Sequence, residues 1–285
     1  MLKNLRPFAA FAGLSLLAAA GCSSRTSAAT QTTPAAFDAT KSEAKAVTIV
    51  DKMLTTLGGH ATWDAAKQVR FELKYKNAGQ LKGWYKHAWD KWNGRHRFEH
   101  VDMATLAQSE KEGDPSLLRS LVVMYNLFDK NSGYAKYGKD ELPASEKKKR
   151  VGEAYERWRE DSYKLAFVYK LKDPGVVLKY DQEVTPIEDR LCKPNCHIIE
   201  VTFSDGVGTD KYFVGINSQT NMPELMQKQM GDTGRLGFSL DGWTDVGGLK
   251  FATKLENLGV KGEIFEFSNV TIDDPDDTLY IPTVR

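Results

Sequence analysis

The chain has 285 residues and a formal net charge of +1, and 41% of its residues are apolar. A near-neutral charge without a long basic block argues against nucleic acid as a partner. The apolar share is sufficient for a folded core, and the length fits one large domain or two small ones. No apolar run is long enough to span a bilayer stably.

Residues 1–21 have the features of a secretory signal. Lys3 and Arg6 precede an apolar run from Phe8 to Gly21, and a basic start followed by a short apolar segment is typical of exported proteins. The end of this run, Ala-Ala-Gly, and the following Cys22 resemble a bacterial lipobox. That resemblance implies cleavage before Cys22 and a diacylglyceryl group on its thiol. The alternative is an ordinary signal cleaved near Ala20, beside an unrelated cysteine.

A lipid on Cys22 would anchor the chain, because acyl chains can hold a protein at a bilayer. In lipoproteins of this kind an Asp after the cysteine favours the inner membrane, so Ser23 indicates the outer membrane, with the chain facing the periplasm. Residues 22–37 are rich in Ser, Thr and Ala and predict a flexible tether. Residues 38–285 are expected to form one domain.

The first part of that domain predicts two helices followed by strands. Apolar residues recur at helical spacing between Val47 and Leu57, and Gly58-Gly59 is typical of a helix end. A short helix is expected over residues 61–67. Residues 69–75 then alternate between apolar and polar types, which predicts a strand with one buried face.

The Asn93-Gly94 pair predicts a two-residue hairpin turn. Pairing outward from this turn sets Trp89 opposite Phe98 and His87 opposite His100. One face of the hairpin is then expected to hold an aromatic and histidine set: Tyr85, His87, Trp89, Phe98 and His100. The other face is expected to hold an Asp90–Arg97 charge pair and a Trp92–Arg95 cation–π contact.

The rest of the chain predicts a second hairpin, one long helix and a series of strands. The hairpin covers residues 121–137, with a turn near 129–133. The helix covers residues 143–171, its apolar stripe includes Tyr155, Trp158 and Leu165, and Asp173-Pro174-Gly175 ends it. Six short strands follow, over residues 176–180, 197–203, 211–216, 225–230, 249–256 and 263–270. The pattern predicts an α+β fold: one large curved antiparallel sheet, a half-open barrel, with helices over its concave face.

Cys192 and Cys196 flank a Lys-Pro-Asn turn. In an oxidising compartment a disulfide is the favoured interpretation. A zinc site that uses both thiols and His197 is an alternative, although a second ligand pair is missing from the sequence. A redox-active pair is a further alternative, although such pairs normally have two intervening residues.

Three stretches carry a family resemblance: Leu-Lys-Asp-Pro-Gly-Val-Val-Leu-Lys-Tyr from Leu171, Val-Thr-Phe-Ser-Asp-Gly-Val-Gly from Val201, and Asp-Lys-Tyr-Phe-Val-Gly-Ile-Asn from Asp210. The later Trp-Thr-Asp-Val-Gly-Gly-Leu-Lys-Phe from Trp243 fits the same pattern. They resemble an uncharacterised family of exported bacterial proteins, which is in turn similar to the lipoprotein carrier LolA and its acceptor LolB. The likeness extends from Val47 to the C-terminus and implies a LolA/LolB-like domain with an apolar cavity.

We expect a ligand-binding protein, not an enzyme, with no cofactor and no metal. The predicted ligand is a lipid or lipoprotein acyl chain held between sheet and helices, because a curved sheet facing a helix can leave an apolar pocket. The expected contact residues are Tyr85, His87, Trp89, Phe98, His100, Trp158 and Leu165. A structural envelope protein with a filled core is the first alternative. A hydrolase that uses His87, His100 or His60 is the second.

Overall fold

The computed structural model describes residues 36–184, 191–204, 209–232 and 234–282. The predicted signal, Cys22 and most of the predicted tether lie outside these ranges. Phe37 packs against the core, and the Lys172 ammonium lies 4.5 Å from the centre of its ring. In the described part of the chain, no helix is long and apolar enough to cross a bilayer.

Within the described ranges, 13 antiparallel strands form one sheet. They are β1 (Gln68–Asn77), β2 (Gln80–Asp90), β3 (Arg95–Val101), β4 (Ser120–Asn126), β5 (Asp129–Tyr137), β6 (Asp140–Glu141), β7 (Val176–Val184), β8 (Cys196–Phe203), β9 (Tyr212–Asn217), β10 (Pro223–Met230), β11 (Gly234–Val246), β12 (Leu249–Asn257) and β13 (Glu263–Asp273).

The α-helices of the described ranges are α1 (Ala44–Thr56), α2 (His60–Ala65), α3 (Met103–Glu112) and α4 (Ala144–Ala166). Short 3-10 segments cover Ala39–Lys41, Pro115–Leu117, Phe167–Lys172 and Asp277–Tyr280. The helix predicted over residues 143–171 is therefore α4 followed directly by a 3-10 segment.

The sheet consists of two meanders joined side by side. Strands β1 to β6 follow one another in space, as do β7 to β13, and the pairing of β1 with β13 joins the two sets. Strands β6 and β7 are the two edges, so the sheet is not closed. The chain travels from one edge to the other through α4, whose 23 residues span roughly 35 Å across the inner face. The predicted α+β architecture with one large antiparallel sheet is confirmed.

The inner face of the sheet and the helices share one apolar core. In β1, Val69, Phe71 and Leu73 alternate with polar residues and are fully buried toward the helices. Helix α1 packs on β7, while α4 packs on β4, β5 and β12. Because every second side chain of a strand points to the same side, this one face collects most of the apolar surface of the chain.

The predicted end of the first helix is correct. Gly58 has a φ of +106°, and a Cβ atom built there would lie 1.9 Å from the carbonyl oxygen of Gly248. Only glycine fits both the conformation and the close approach of the two backbones. This contact fixes the end of α1 against the turn between β11 and β12.

Helix α3, the two-residue strand β6 and strand β11 were missed by the sequence analysis. Helix α3 has no buried residue, so apolar periodicity could not reveal it. Its start is marked instead by Asp102, whose carboxylate accepts hydrogen bonds from the N–H groups of Ala104 and Thr105. Strand β11 was missed because its three glycines, Gly234, Gly237 and Gly242, weaken the strand pattern.

Candidate functional site between the long helix and the sheet

The predicted contact residues lie together at the interface of α4 with the inner face of β2 and β3. The rings of Trp89 and Trp158 meet edge to face with their centres 5.3 Å apart. Trp89, Phe98, Trp158 and Leu165 are each at least 92% buried and belong to the main core cluster. Tyr85 and His100 are half-buried. The interface is thus filled by side chains of the chain itself.

The predicted register of the β2–β3 hairpin is wrong by two residues. His87 lies opposite Phe98, and His100 lies opposite Tyr85. The predicted pairing of His87 with His100 is therefore not present, nor is that of Trp89 with Phe98. A shift of two residues keeps every side chain on its original face, so the predicted set still shares the inner face.

The cause of the shift is Asp90. Its carboxylate accepts hydrogen bonds from the N–H groups of Trp92 and Asn93 and from the Arg95 guanidinium, which places Asp90 at the head of a four-residue loop. The predicted Asp90–Arg97 pair is thus replaced by an Asp90–Arg95 pair at 2.7 Å. The Arg95 guanidinium lies over the ring of Tyr280, not over Trp92 as predicted.

A chain of buried polar groups crosses the interface. The Nδ1 atom of His87 lies 3.3 Å from Nε2 of His96, and Nε2 of His87 lies 3.1 Å from a carboxylate oxygen of Asp161 on α4. The same oxygen accepts a 2.7 Å hydrogen bond from Nε of Arg157. His96 and Asp161 have no exposed surface, and His87 has 3%. Strand and helix residues 74 positions apart are joined here.

The protonation of this chain follows from burial and charge. Burial alone would raise the pKa of Asp161, but the Arg157 guanidinium and the bond from His87 bring that pKa below its ordinary value, so the carboxylate is ionised. Burial lowers the pKa of His87, although the bond to Asp161 acts in the opposite direction. Burial also lowers the pKa of His96 well below its ordinary value. Both imidazoles are neutral at neutral pH.

One arrangement of protons satisfies these contacts. A carboxylate only accepts, so Nε2 of His87 carries the proton and donates to Asp161. The Nδ1 atom of His87 is then an acceptor, and Nε2 of His96 must donate to it. This leaves Nδ1 of His96 as a buried acceptor. We assign these protons from the hydrogen-bond network.

Several polar atoms at this interface have no hydrogen-bond partner among the described residues. They are Nδ1 of His96, Oη of Tyr125, Nε1 of Trp158, Oδ1 of Asp161 and Nη2 of Arg157. The His96 ring lies 5.1 Å from the Tyr125 ring and 6.0 Å from the Trp158 ring, centre to centre. Buried polar groups of native proteins normally have partners, so such a concentration points to a site for a further polar group.

Cationic side chains of α4 cover aromatic rings on either side of Asp161. The Arg157 guanidinium lies 3.9 Å from the centre of the Tyr85 ring. The Lys164 ammonium lies 4.9 Å from the centre of the Phe265 ring, and burial lowers its pKa. The long stems of both residues lie against apolar surface while their charged ends remain near Asp161 and solvent.

A pocket of about 270 Å³ opens on the opposite, outer face of the sheet. Its lining includes Arg70, Glu72, Lys86, Arg97 and Glu99 of β1 to β3. These five residues alternate along their strands with the predicted contact residues, but the lining also includes His87 of the α4 interface. Most of its charges are paired within the chain, among them Arg97 with Glu99 at 3.6 Å.

The predicted disulfide is present. Cys192 and Cys196 are bonded, with their Cα atoms 4.8 Å apart. Together with Ile198 and Phe213 they form a small buried cluster on the outer face of β8 and β9. The Glu224 carboxylate accepts a hydrogen bond from the N–H of Cys192, so the loop is tied to β10. Sulfurs paired in a disulfide are not thiolate ligands, so the zinc alternative loses two of its three donor atoms.

No family model matches this chain, and no curated protein matches it. Several solved structures, however, are similar to this chain. A LolA superfamily protein from Nitrosomonas europaea is similar with a TM-score of 0.44 at 10% identity, over 83% of this chain and 97% of that chain. A DUF1329 family protein from Desulfovibrio piger is similar with a TM-score of 0.44 at 12% identity, over 84% and 96%. An outer membrane lipoprotein-sorting protein domain from Vibrio parahaemolyticus gives 0.40 at 10% identity, over 79% and 91%.

Two of these three structures belong, by their descriptions, to the LolA-like group that the four sequence stretches resemble.

The sequence analysis missed the polar members of the site: His96, Tyr125, Arg157 and Asp161. His96 lies two residues before Phe98 and so shares its face, but it was not counted among the predicted contact residues. Asp161 was not singled out in the long helix. Its position three residues after Trp158, within the same apolar stripe, was the one available signal that it faces the sheet.

Proposed function

We propose that the chain binds an apolar ligand, such as an acyl chain, between α4 and the inner face of β2 to β4. The observation that supports this proposal is the composition of the interface. Large aromatic and aliphatic side chains surround a few buried polar atoms without partners, and this combination is typical of ligand sites. Because Trp158 and Leu165 fill the interface, a ligand enters as α4 moves outward.

We place this activity in the cell envelope. The signal-like residues 1–21 and the lipobox-like end at Cys22 support an outer-membrane lipoprotein that faces the periplasm. The disulfide in the described domain fits an oxidising compartment. Replacement of Cys22 by Ser should release the full chain from membranes into the soluble fraction. Unchanged membrane partition, together with no acyl mass on the N-terminal peptide, would refute the anchor.

The binding proposal is tested with the neutral fluorescent probe N-phenyl-1-naphthylamine on the purified full chain. We expect saturable binding by the unmodified protein. Leu165→Trp fills the interface and should weaken binding, at a stability cost of about 1–3 kcal/mol. Leu165→Ala opens space and should retain or strengthen binding while it lowers stability by about 2–5 kcal/mol.

The control substitution is Leu118→Trp, at an exposed residue directly after the 3-10 segment Pro115–Leu117, which should change neither quantity. Circular dichroism confirms that each variant is folded. No saturable binding by the unmodified chain would remove the proposal, and binding that both Leu165 variants leave unchanged would place the probe elsewhere.

A structural role with a filled core is the second candidate. The observation that favours it is that Trp89, Phe98, Trp158 and Leu165 already pack in one continuous core cluster. The same titration separates the two candidates, because a permanently filled interface binds no probe.

The hydrolase alternative receives less support. His87 lies beside a carboxylate, as a catalytic histidine does, but its two ring nitrogens contact Asp161 and His96, and its side chain is buried. In the described ranges the histidine–carboxylate pair thus faces the core, not a cleft. His60 pairs with Asp64 within α2 at 2.9 Å. We therefore propose binding without catalysis.

A further inference from the structure

The buried polar chain across the interface ends in one acceptor beside two donors. The charge on Asp161 fixes the direction of the hydrogen bonds, so Nδ1 of His96 is left as an acceptor. The indole N–H of Trp158 is a donor only, and the Tyr125 hydroxyl both donates and accepts. All three side chains are more than nine-tenths buried, and none of these three atoms has a partner within the described ranges.

We propose that the corner formed by His96, Tyr125 and Trp158 binds the hydroxyl group of the apolar ligand. This inference rests on the proposed function, and it names the ligand class: a long apolar chain that carries a neutral alcohol, as in fatty alcohols and monoacylglycerols. A hydroxyl is the smallest group that can donate to Nδ1 of His96 and accept from Trp158 and Tyr125 at once.

A carboxylate is a poor fit to the same corner. It can only accept, so its oxygen would face the lone pair of Nδ1 on His96. Protonation of His96 would remove this conflict, but burial holds the pKa of His96 well below its ordinary value. The ionised Asp161 at the other end of the chain adds like-charge repulsion. Free fatty acids are therefore expected to bind more weakly than alcohols of the same chain length.

The experiment compares three ligands with one chain length at neutral pH: dodecanol, dodecyl methyl ether and dodecanoate. Each displaces N-phenyl-1-naphthylamine from the full chain. The ether keeps the acceptor oxygen and lacks the donor proton, so it isolates the bond to His96. We expect dodecanol to bind about tenfold more tightly than either competitor, the factor that corresponds to one hydrogen bond of about 1.4 kcal/mol.

Two substitutions test the corner itself. Tyr125→Phe and Trp158→Phe each remove one donor to the ligand oxygen and retain an aromatic ring, so dodecanol and the ether should both bind about threefold to tenfold more weakly. The control is Trp84→Phe on the outer face, where the indole N–H bonds to Glu72, and it should keep the full affinity for both ligands.

The outcomes separate this inference from the proposed function. If neither the probe nor any ligand binds, both are wrong. If the alcohol and the ether bind equally, the chain binds apolar ligands but the corner does not recognise a hydroxyl, and its polar atoms bond to water instead. Tighter binding of dodecanoate, or an affinity for dodecanol that both Phe substitutions leave unchanged, overturns the inference as well.

Discussion

Two groups of helical residues cover the same face of the sheet by different means. The first, the α2 region, consists of α2 and the 3-10 segment Phe167–Lys172. There Trp63 stacks on Tyr169 at 5.1 Å, and the Tyr169 hydroxyl donates to the Lys250 carbonyl at 2.6 Å. The second, the α4 region, is the interface of α4 with β2 to β4. There His87, His96 and Asp161 form a buried polar chain, and several atoms lack partners in the described ranges.

The difference separates a scaffold from a site. Apolar packing with paired polar groups stabilises a fold and favours one fixed arrangement of the helix on the sheet. A buried chain that mixes charges with unpaired atoms costs desolvation, and such chains are often less stable than apolar packing of the same volume. We therefore expect the α2 region to hold the two meanders together, and the α4 region to be the part that moves and binds.

The largest expected loss of stability follows removal of the carboxylate charge of Asp161, at the centre of the α4 region. Asp161→Ala leaves the Arg157 guanidinium and the His87 N–H without their acceptor, and breaking a buried ion pair in this way costs about 3–5 kcal/mol. Urea unfolding measures the change. The matched control is Glu160→Ala, an exposed carboxylate on the same helix, which should change stability by less than about 0.5 kcal/mol. Equal losses in the two variants would contradict the assigned role of Asp161.

The second effect is a loss of stability in mild acid. His87 and His96 have folded-state pKa values below their unfolded values, so the unfolded chain binds more protons below about pH 6.5. Stability should fall there by up to about 1.4 kcal/mol per pH unit for each histidine. The pKa of Asp161 is also lowered, but its contribution is lost only below about pH 4.

His96→Gln tests the origin of this slope, since glutamine has a similar length and does not titrate. The variant should lose about half of the dependence on pH between pH 6.5 and 5. The control, Trp84→Phe on the outer face, removes no titratable group and should leave the slope as it was. A slope that is the same in all three proteins would show that the buried pair does not titrate on unfolding.

The comparison also shows which parts of the molecule could be predicted from the sequence. The strands and α4 follow from periodicity, which is a local property, and the inner-face set survived an error in register because the error was two residues. The loop itself was misjudged because the Asp90 carboxylate, not the Asn93-Gly94 pair, sets its length. The bond between His87 and Asp161 joins positions that only the fold brings together, so no local pattern reveals it.

A smaller effect is expected in the α2 region. Tyr169→Phe removes the hydroxyl that bonds to the Lys250 carbonyl, and this partly buried carbonyl is left without that donor. The carbonyl of Leu57, 3.0 Å from the same hydroxyl, keeps its bond from the N–H of Lys250. One lost acceptor should cost about 1–2 kcal/mol in chemical unfolding. If Tyr169→Phe is as stable as the unmodified chain, the α2 region is not the more rigid of the α2 and α4 regions.

The smallest effect is expected from the same chemical change in the α4 region. Tyr125→Phe also removes one hydroxyl from a buried ring, but this hydroxyl has no partner among the described residues, and burial raises the pKa of Tyr125 well above its ordinary value. Nothing is left unpaired by its removal, and the desolvation of the hydroxyl is relieved, so stability should stay within about 0.5 kcal/mol or rise by up to about 1 kcal/mol. The two Tyr→Phe variants are compared in one set of urea titrations, with Tyr169→Phe as the reference. A loss at Tyr125 as large as that at Tyr169 would mean that the Tyr125 hydroxyl is bonded in the free protein, and the distinction between scaffold and site would then rest on the charges of Arg157 and Asp161 alone.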